Sequence, residues 1–433
     1  MAALVAADGC RLGRRLIREN IMTIAAVPGY LQTAYNTLVD AAAVTTAQRF
    51  GLLFPAWNQQ WNKETATRDV WTRTCVWGGP AKEFVAAFNR RQRMLAVTLG
   101  DGAFQLPAVS SSPFTTGLGN EHPLENGFAF LNPYGVPYLA GSGVKGVLRR
   151  AAQELMELED SAWKHAPAGS VQISKTERLT LSALEVLFGR EPGKNETEHV
   201  RGVLSFWDVV PEIEGKKLRV DVMTPHQSHY YFDKRDPKSG NSVSPHDSGQ
   251  PNPITFLTMP PGSKFGFTVV CDLPRLERLA PELHRDDRWK ALVSECLHYA
   301  FDWLGFGAKT AVGYGAMRLD EAAVIRAEAQ ATQARLAAEE ALQTPERRKV
   351  NKYCADMQAK AAIPSFRKEQ QNQRLHQEAS KLRDAALAWT NAEDRQAAGE
   401  AIETWAPKVI DIRANDLKDF LKKLKVNQLK GLS

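Results

Sequence analysis

The sequence predicts an α+β fold in which strands and helices alternate as β-α-β-β-α-β, with helical extensions at both ends. Three observations lead there. Phe265, Phe267 and Val269 recur at every second residue, as do Leu218, Val220 and Val222 with Arg219 and Asp221 between them, which is the period of half-buried strands. Val144, Val147, Leu148, Ala151, Ala152, Leu155 and Leu158 recur at helical spacing, and so do Trp289, Leu292, Val293, Cys296, Leu297, Ala300 and Leu304. After Asp320 the composition shifts to Ala, Gln, Glu, Lys and Arg with few glycines.

The elements follow in chain order. Residues 1–92 read as a mainly helical N-terminal region, with Tyr30 to Phe50 as its clearest segment. Trp57, Trp61, Trp71 and Trp77 sit in a polar, irregular stretch and read as packing anchors. Residues 93–320 form the central domain. Met94 to Leu99, then Gly100-Asp-Gly102 and a further short run, read as a strand entering a hairpin. Phe128 to Phe130 adds a short strand closed by the Asn132-Pro-Tyr-Gly135 turn. The first periodic helix follows, then strands at Val203 to Asp208, at 218–222 and at 265–269, the second helix, and a last strand at Met317 and Leu319. This order is ferredoxin-like, the arrangement that RNA-recognition modules also use. Thr224 to Pro261, rich in Ser, Pro, Asp, Asn and Gly, reads as a long functional loop. Residues 321–433 read as a helical C-terminal extension, with Leu417, Phe420, Leu421 and Leu424 on one face and breaks at Pro345, Pro364 and Pro407.

Composition narrows the function classes. Hydrophobic residues make up 43% and charged residues 24%, ordinary values for a soluble globular chain, and the net charge of +6 permits nucleic-acid binding without demanding it. Cys10, Cys75, Cys271, Cys296 and Cys354 are scattered without Cys-x-x-Cys spacing, which argues against a zinc ribbon or disulfide framework and fits a reducing cytoplasm. Arg11, Arg14, Arg15 and Arg18 interrupt the apolar N-terminus, so no secretory signal is expected, and no apolar run nears the ~18 residues of a membrane span.

Two glycine-rich segments that enclose a lysine carry the chemistry. Gly141-Ser-Gly-Val-Lys145-Gly-Val-Leu-Arg149-Arg150 leads into the first helix, and Gly305-Phe-Gly-Ala-Lys309-Thr-Ala-Val-Gly313-Tyr-Gly315 follows the second. Glycines let another backbone approach, helix N-termini attract anions, and a cation beside such a turn suits a phosphate. Taken alone, each segment is equally a tight structural turn; together, flanking complementary helices, they point to a sugar-phosphate chain. Lys145, Arg149 and Lys309 are the expected phosphate partners, with amides around Gly141, Ser142 and Gly143 and around Gly305 and Gly307 approaching the chain. Arg150 is a further phosphate candidate and Tyr314 a base or sugar contact; His226, Thr310 and Gly313 complete the RNA-binding set.

Other chemistries read less well. Ala308, not glycine, precedes Lys309, and the segment follows a helix where a nucleotide-binding P-loop would lead into one, so ATP hydrolysis there is not expected. His226, His229 and His246 with Asp247 suggest a metal site only weakly by spacing, and the Pro and Gly content around them reads as loop histidines or RNA contacts. His122 and Glu125 near Gly117-Leu-Gly119 are suggestive only by proximity in sequence. No catalytic, metal or cofactor residue is assigned.

With these residues in view, the chain resembles the RAMP superfamily of CRISPR RNA-binding proteins, in particular the sixth, end-of-filament backbone subunits of type III-B (Cmr-type) complexes. The carrying segments are Gly117-Leu-Gly-Asn-Glu-His-Pro-Leu-Glu-Asn-Gly127, Tyr134-Gly-Val-Pro-Tyr138, Gly141 to Arg149, Leu187-Phe-Gly189, Gly202 to Asp208, Asp221 to His226, Asn252 to Leu257 and Leu304 to Gly315, in that order. They cover roughly residues 94–320. Where such subunits carry Pro-Gly-Ser before the lysine, this chain has Ala140-Gly141-Ser142-Gly143, a departure that keeps the turn. The resemblance implies a RAMP domain in a non-catalytic subunit that caps the crRNA-bound filament toward the guide's 3′ end. Its implied partners are crRNA, target RNA by proximity and neighbouring RAMP subunits, with no cofactor and no membrane. Target cleavage and cyclic-oligonucleotide synthesis would belong to other subunits. The alternative is a metal-independent RAMP endoribonuclease that processes CRISPR transcripts, with His122, His226 or His229 as acid and base.

Overall fold

In the computed structural model, which describes residues 23–64, 66, 68–123, 126–174, 177–193, 197–224 and 253–431, the alternating residues Phe265, Phe267 and Val269 do form a strand. They point to one side of a four-stranded antiparallel sheet and are almost wholly buried, while Lys264 and Gly266 face away and are exposed. The sheet is built from β1 (Ala103–Ser110), β2 (Leu204–Phe206), β3 (Lys264–Cys271) and β4 (Met317–Leu319) in the order β4-β1-β3-β2. Helix α1 (Gly141–Leu155) connects β1 to β2, and α2 (Arg288–Tyr299) connects β3 to β4. This is the ferredoxin-like βαββαβ path. Register pairs Ala108 with Phe265, Leu106 with Phe267 and Phe104 with Val269, which puts the apolar residues of both central strands on one face.

The helices bury the faces their spacing marked. Val144, Leu148, Ala151, Ala152 and Leu155 are buried on α1, and Trp289, Leu292, Val293, Cys296 and Leu297 on α2. Phe267 packs between Phe301 and Phe306, with ring centroids 5.5 and 4.8 Å away. Each such ring taken out of water contributes about 2–3 kcal/mol. Trp163 anchors α2 from outside the sheet, its indole N–H donating to the Leu292 carbonyl at 3.0 Å.

Several local expectations change. Met94 to Leu99 is not a strand but the last turns of the helix Pro80–Leu99. Proline at its first turn and the helix-favouring run of Ala, Lys, Glu, Arg and Gln behind it carry the helix through the β-branched residues. Met94 and Val97 lie 66% and 78% exposed, so no sheet face claims them. The short run after Gly102 is the real first strand. Tyr30 to Phe50 is broken into Gly29–Gln32, Tyr35–Asp40 and a π-turn at Gln48–Leu52. The strand at 218–222 exists as Arg219–Met223, but it pairs with Ile254–Thr258 in a separate ribbon, not in the main sheet. Part of the expected 224–261 loop is therefore strand, and 225–252 lie outside the described residues. Phe130–Leu131 pairs with Val136–Pro137 across the Asn132–Gly135 turn.

The chain divides into two units between Val324 and Ile325, inside the helix Glu321–Leu342. In the first, Phe50, Phe54, Trp71, Trp77 and Val85 belong to the same hydrophobic cluster as the sheet and its helices. Trp71 and Trp77 are thus buried packing residues, whereas Trp61 is 56% exposed. Cys75, Cys271 and Cys296 are buried free thiols.

The second unit has a core of its own, drawn from α3 (Pro345–Ala361), α4 (Arg374–Leu387), α5 (Ala392–Val409) and the chain after them. Thr344 caps α3 by accepting from the Arg347 amide. Pro345 begins α3 and Pro364 lies between helices, but Pro407 sits within α5. It removes an amide donor only in the final turn, where the helix is ending, so α5 persists to Val409. Phe420 and Leu424 close the core. Among the described residues no helix is long and apolar enough to cross a membrane.

Candidate RNA-binding site

The two glycine segments meet the sheet through different strands. Ser110 at the end of β1 pairs with Met317 at the start of β4, and β3 begins beside it at Lys264. Helix α1 starts against Phe206 at the finish of β2, which pairs with Val269 five residues into β3, while the chain from α2 returns to the Ser110 end before β4.

At the first segment, Gly141 opens α1 with its amide donating to the Asp208 carboxylate at 2.7 Å. A Cβ at Gly141 would lie 2.1 Å from the Phe206 carbonyl oxygen, so the glycine is demanded by protein packing. Asp208 also complements the positive end of the helix dipole. Gly143 donates to the Ala140 carbonyl, and among the described residues the exposed Ser142 amide has no partner. Lys145, half-buried one turn on, makes no ion pair among the described residues. Arg149 uses one of its five donors on the Gly189 carbonyl at 3.2 Å, and Arg150 pairs with Glu154 at 2.6 Å.

The second segment is a folded loop whose glycines meet other backbones. Gly305, Gly307, Gly313 and Gly315 all have φ between 69° and 93°. A Cβ at Gly307 would sit 2.3 Å from the Thr115 carbonyl oxygen, and one at Gly315 1.9 Å from that of Phe306. Ala308 donates to Thr115, Phe306 to Gly315, Gly315 to Pro113 and Gly305 to Ala300. The amides of Gly141 and Gly305, expected to face a phosphate chain, are thus occupied within the protein. Lys309 takes left-handed φ of 60°, and its ammonium reaches the Met223 sulfur at 2.6 Å and lies 5.2 Å from the Phe256 ring centre. Tyr314 donates its hydroxyl to the Asp221 carboxylate and packs beside Phe256. Burial first, then that hydrogen bond, pushes its pKa up to about 12. Thr310 is half-buried, its methyl against Gly305, and Gly313 is exposed.

The structure therefore joins Lys309 and Tyr314 to the 219–223/254–258 ribbon through Asp221, Met223 and Phe256, none of which the sequence singled out as site residues. The alternation that includes Asp221 marked a strand but gave no sign of which loop it would meet. Asp208 lay in plain sight at the end of a strand, and its partner amide was 67 residues away.

The histidine candidates separate. His226, His229 and His246, with Asp247, lie outside the described residues. His122 lies flat on Phe50 with ring centres 3.9 Å apart, edge-on to Phe54, and its Nε2 is 2.8 Å from the Phe50 carbonyl. Burial pulls its pKa below the usual histidine value. That is a packed histidine whose Nε2–H donates to backbone. Among the described residues no three His, Cys, Asp or Glu side chains converge as metal ligands.

Parts of the chain are similar to known proteins. Residues 109–318 match the model of the RAMP superfamily. Over 239 residues the chain is 29% identical to the CRISPR system Cmr subunit Cmr6 of Pyrococcus furiosus, an alignment covering 48% of this chain and 65% of that protein's length. Among solved structures, it is similar to a chain in the cryo-EM structure of the Type III-B Cmr-beta bound to cognate target RNA, at 17% identity and a TM-score of 0.37, covering 58% of this chain and 70% of the other. The crystal structure of Cmr6 from Pyrococcus furiosus is 24% identical with a TM-score of 0.25, covering 50% and 97%. The stretch that matches the RAMP model, residues 109–318, contains most of the ferredoxin-like frame.

Proposed function

We propose that this chain is a non-catalytic, crRNA-binding subunit of a type III-B, Cmr-type CRISPR RNA-targeting complex, capping the backbone filament toward the crRNA 3′ end. The RAMP domain and the relative named as a Cmr subunit support the complex. The observation that carries RNA binding is that each glycine segment holds a lysine, Lys145 and Lys309, that makes no ion pair among the described residues. The two ammonium groups neutralise phosphates, the Ser142 amide offers a donor at the positive end of α1, and Arg149 and Arg150 extend the basic face. Gly143, Gly307, Thr310, Gly313 and Tyr314 shape the surface beside them. Such contacts hold the guide in place without reading its sequence.

Replacing Lys145 and Lys309 together by Ala should weaken guide retention. It should also flatten the dependence of log affinity on log salt by about 1.4, at ~0.7 per single-stranded phosphate contact. Filter binding of a repeat-derived guide over a salt series reads both quantities, and an unchanged slope in the double variant would sink the assignment. Purification of the tagged chain with sequencing of its RNA and mass spectrometry of its partners tests the complex: guides and other RAMP subunits are expected together.

A further inference from the structure

We propose that the groove between α3 and α4 in the C-terminal unit is a second nucleic-acid contact, one that takes the phosphodiester backbone of single-stranded RNA without reading its bases. Charge points there first. Residues 325–433 hold 20 Lys and Arg against 15 Asp and Glu, a net of +5, whereas residues 1–324 hold 35 against 34. Nearly all of the chain's net charge of +6 therefore belongs to this unit.

Within the unit the charge gathers on one feature. A groove of about 580 Å³ runs between the two helices, lined by Lys349, Lys352 and Lys360 of α3 and Arg374 and Lys381 of α4. Lys381 pairs with Glu378 at 3.1 Å. The other four cations are exposed and make no ion pair among the described residues. Asp356 and Glu378 are the two acidic residues that line the groove, so cations outnumber them five to two. Lys349, Lys352 and Lys360 fall along one side of α3, a row about 16 Å long at ~1.5 Å per residue. A row of that length matches several successive phosphates, not one convergent anion site. Three of the four unpaired cations are lysines, compact point charges suited to tracking a backbone and not to bidentate readout.

The floor decides between RNA and an amphipathic protein helix. Its large apolar residues, Met357, Leu375 and Leu382, are already 2%, 4% and 7% exposed, so little apolar surface is left for a partner helix to cover. The Tyr353 hydroxyl nearby is buried without a hydrogen-bond partner among the described residues. What the groove offers is positive charge along a line. Packed helices lie roughly 8–10 Å apart, so the groove between them is one strand wide.

The test uses the full chain and a fluorescein-labelled single-stranded RNA of mixed sequence, about 20 nucleotides long, read by anisotropy over a salt series. The variant Lys349→Gln, Lys352→Gln, Lys360→Gln, Arg374→Gln should flatten the salt slope by about 2 to 3, from four contacts at ~0.7 each. The charge-preserving variant with Lys349, Lys352 and Lys360 all changed to Arg should keep wild-type affinity, which separates lost charge from lost fold. Wild-type affinity and slope in the glutamine variant would overturn the proposal. So would displacement of the RNA by poly-glutamate at equal charge, which would assign the groove to an acidic protein. The Lys145 and Lys309 double variant, measured alongside, tests the RAMP-domain reading separately: either site can fail while the other stands.

Discussion

Gly141 and Gly146 are both in α1, five residues apart, and physical reasoning gives them opposite signs. At Gly146 nothing lies within 4 Å of a built Cβ, so Gly146→Ala should stabilise the protein by roughly 0.5–1 kcal/mol through helix propensity. At Gly141 the same gain is outweighed by the Phe206 carbonyl, a backbone atom that cannot rotate aside, and Gly141→Ala should cost about 1–3 kcal/mol. Denaturant midpoints of the two variants, moving in opposite directions, check this. His122 supplies a pH prediction. Its folded pKa lies below the ordinary 6.5, chiefly through burial, so the neutral ring is the stabilising form. Its contribution is complete above pH ~6.5 and is lost as pH falls through the lower folded value. Urea unfolding at pH 7.5 and pH 5 should therefore show a smaller loss of stability in His122→Phe than in wild type. Equal losses would mean the ring stays solvated. His376 shifts in the same direction, but it is present in both proteins and cancels from the difference.

At the scale of elements, what the sequence revealed follows from how far each signal reaches. The periods of 265–269, of α1 and of α2 are long enough, and buried on one side enough, that pattern alone located them. Met94 to Leu99 misled because six apolar and β-branched residues carry a strand's composition, while the helix that owns them starts at Pro80 and is decided upstream. The strand at 219–223 was legible, its partner at 254–258 was not, because pairing across a 30-residue gap leaves no local trace. The same limit governs the site. Glycines that look ligand-facing in sequence prove to be held by the protein: Gly141 by Phe206 and Gly307 by Thr115 from distant segments, and Gly315 by Phe306 across its own loop. Lys145 and Lys309 survive as candidates because the property that matters, a cation without a carboxylate beside it, depends on absence of a neighbour and not on a motif. Nothing in the alternation of Leu218, Val220 and Val222 with Arg219 and Asp221 announced that this edge would receive Lys309 and Tyr314.

For the whole molecule, the two largest hydrophobic cores share no residue: one runs from Phe50 to Met317, the other from Val350 to Leu429, and a small third one at Ala25, Val27, Val39 and Leu53 lies in the first unit. A chain ending at Val324 keeps the first core whole, together with both glycine segments. It should unfold cooperatively, since its sheet and helices lose none of their apolar partners. It also sheds the unit that holds nearly all of the net charge. If the α3–α4 groove is the contact through which that charge acts on RNA, the truncated chain should show the same flattened salt slope as the glutamine variant, about 2 to 3 below wild type. A larger loss would bring in the other cations of the unit, such as Lys422, Lys423 and Lys425, which lie outside the groove lining. A slope equal to wild type would leave the charge of residues 325–433 without any part in RNA binding and return the whole electrostatic contribution to residues 1–324. Because truncation and point substitution remove the groove in different ways, agreement between their slopes excludes a folding defect as the common cause.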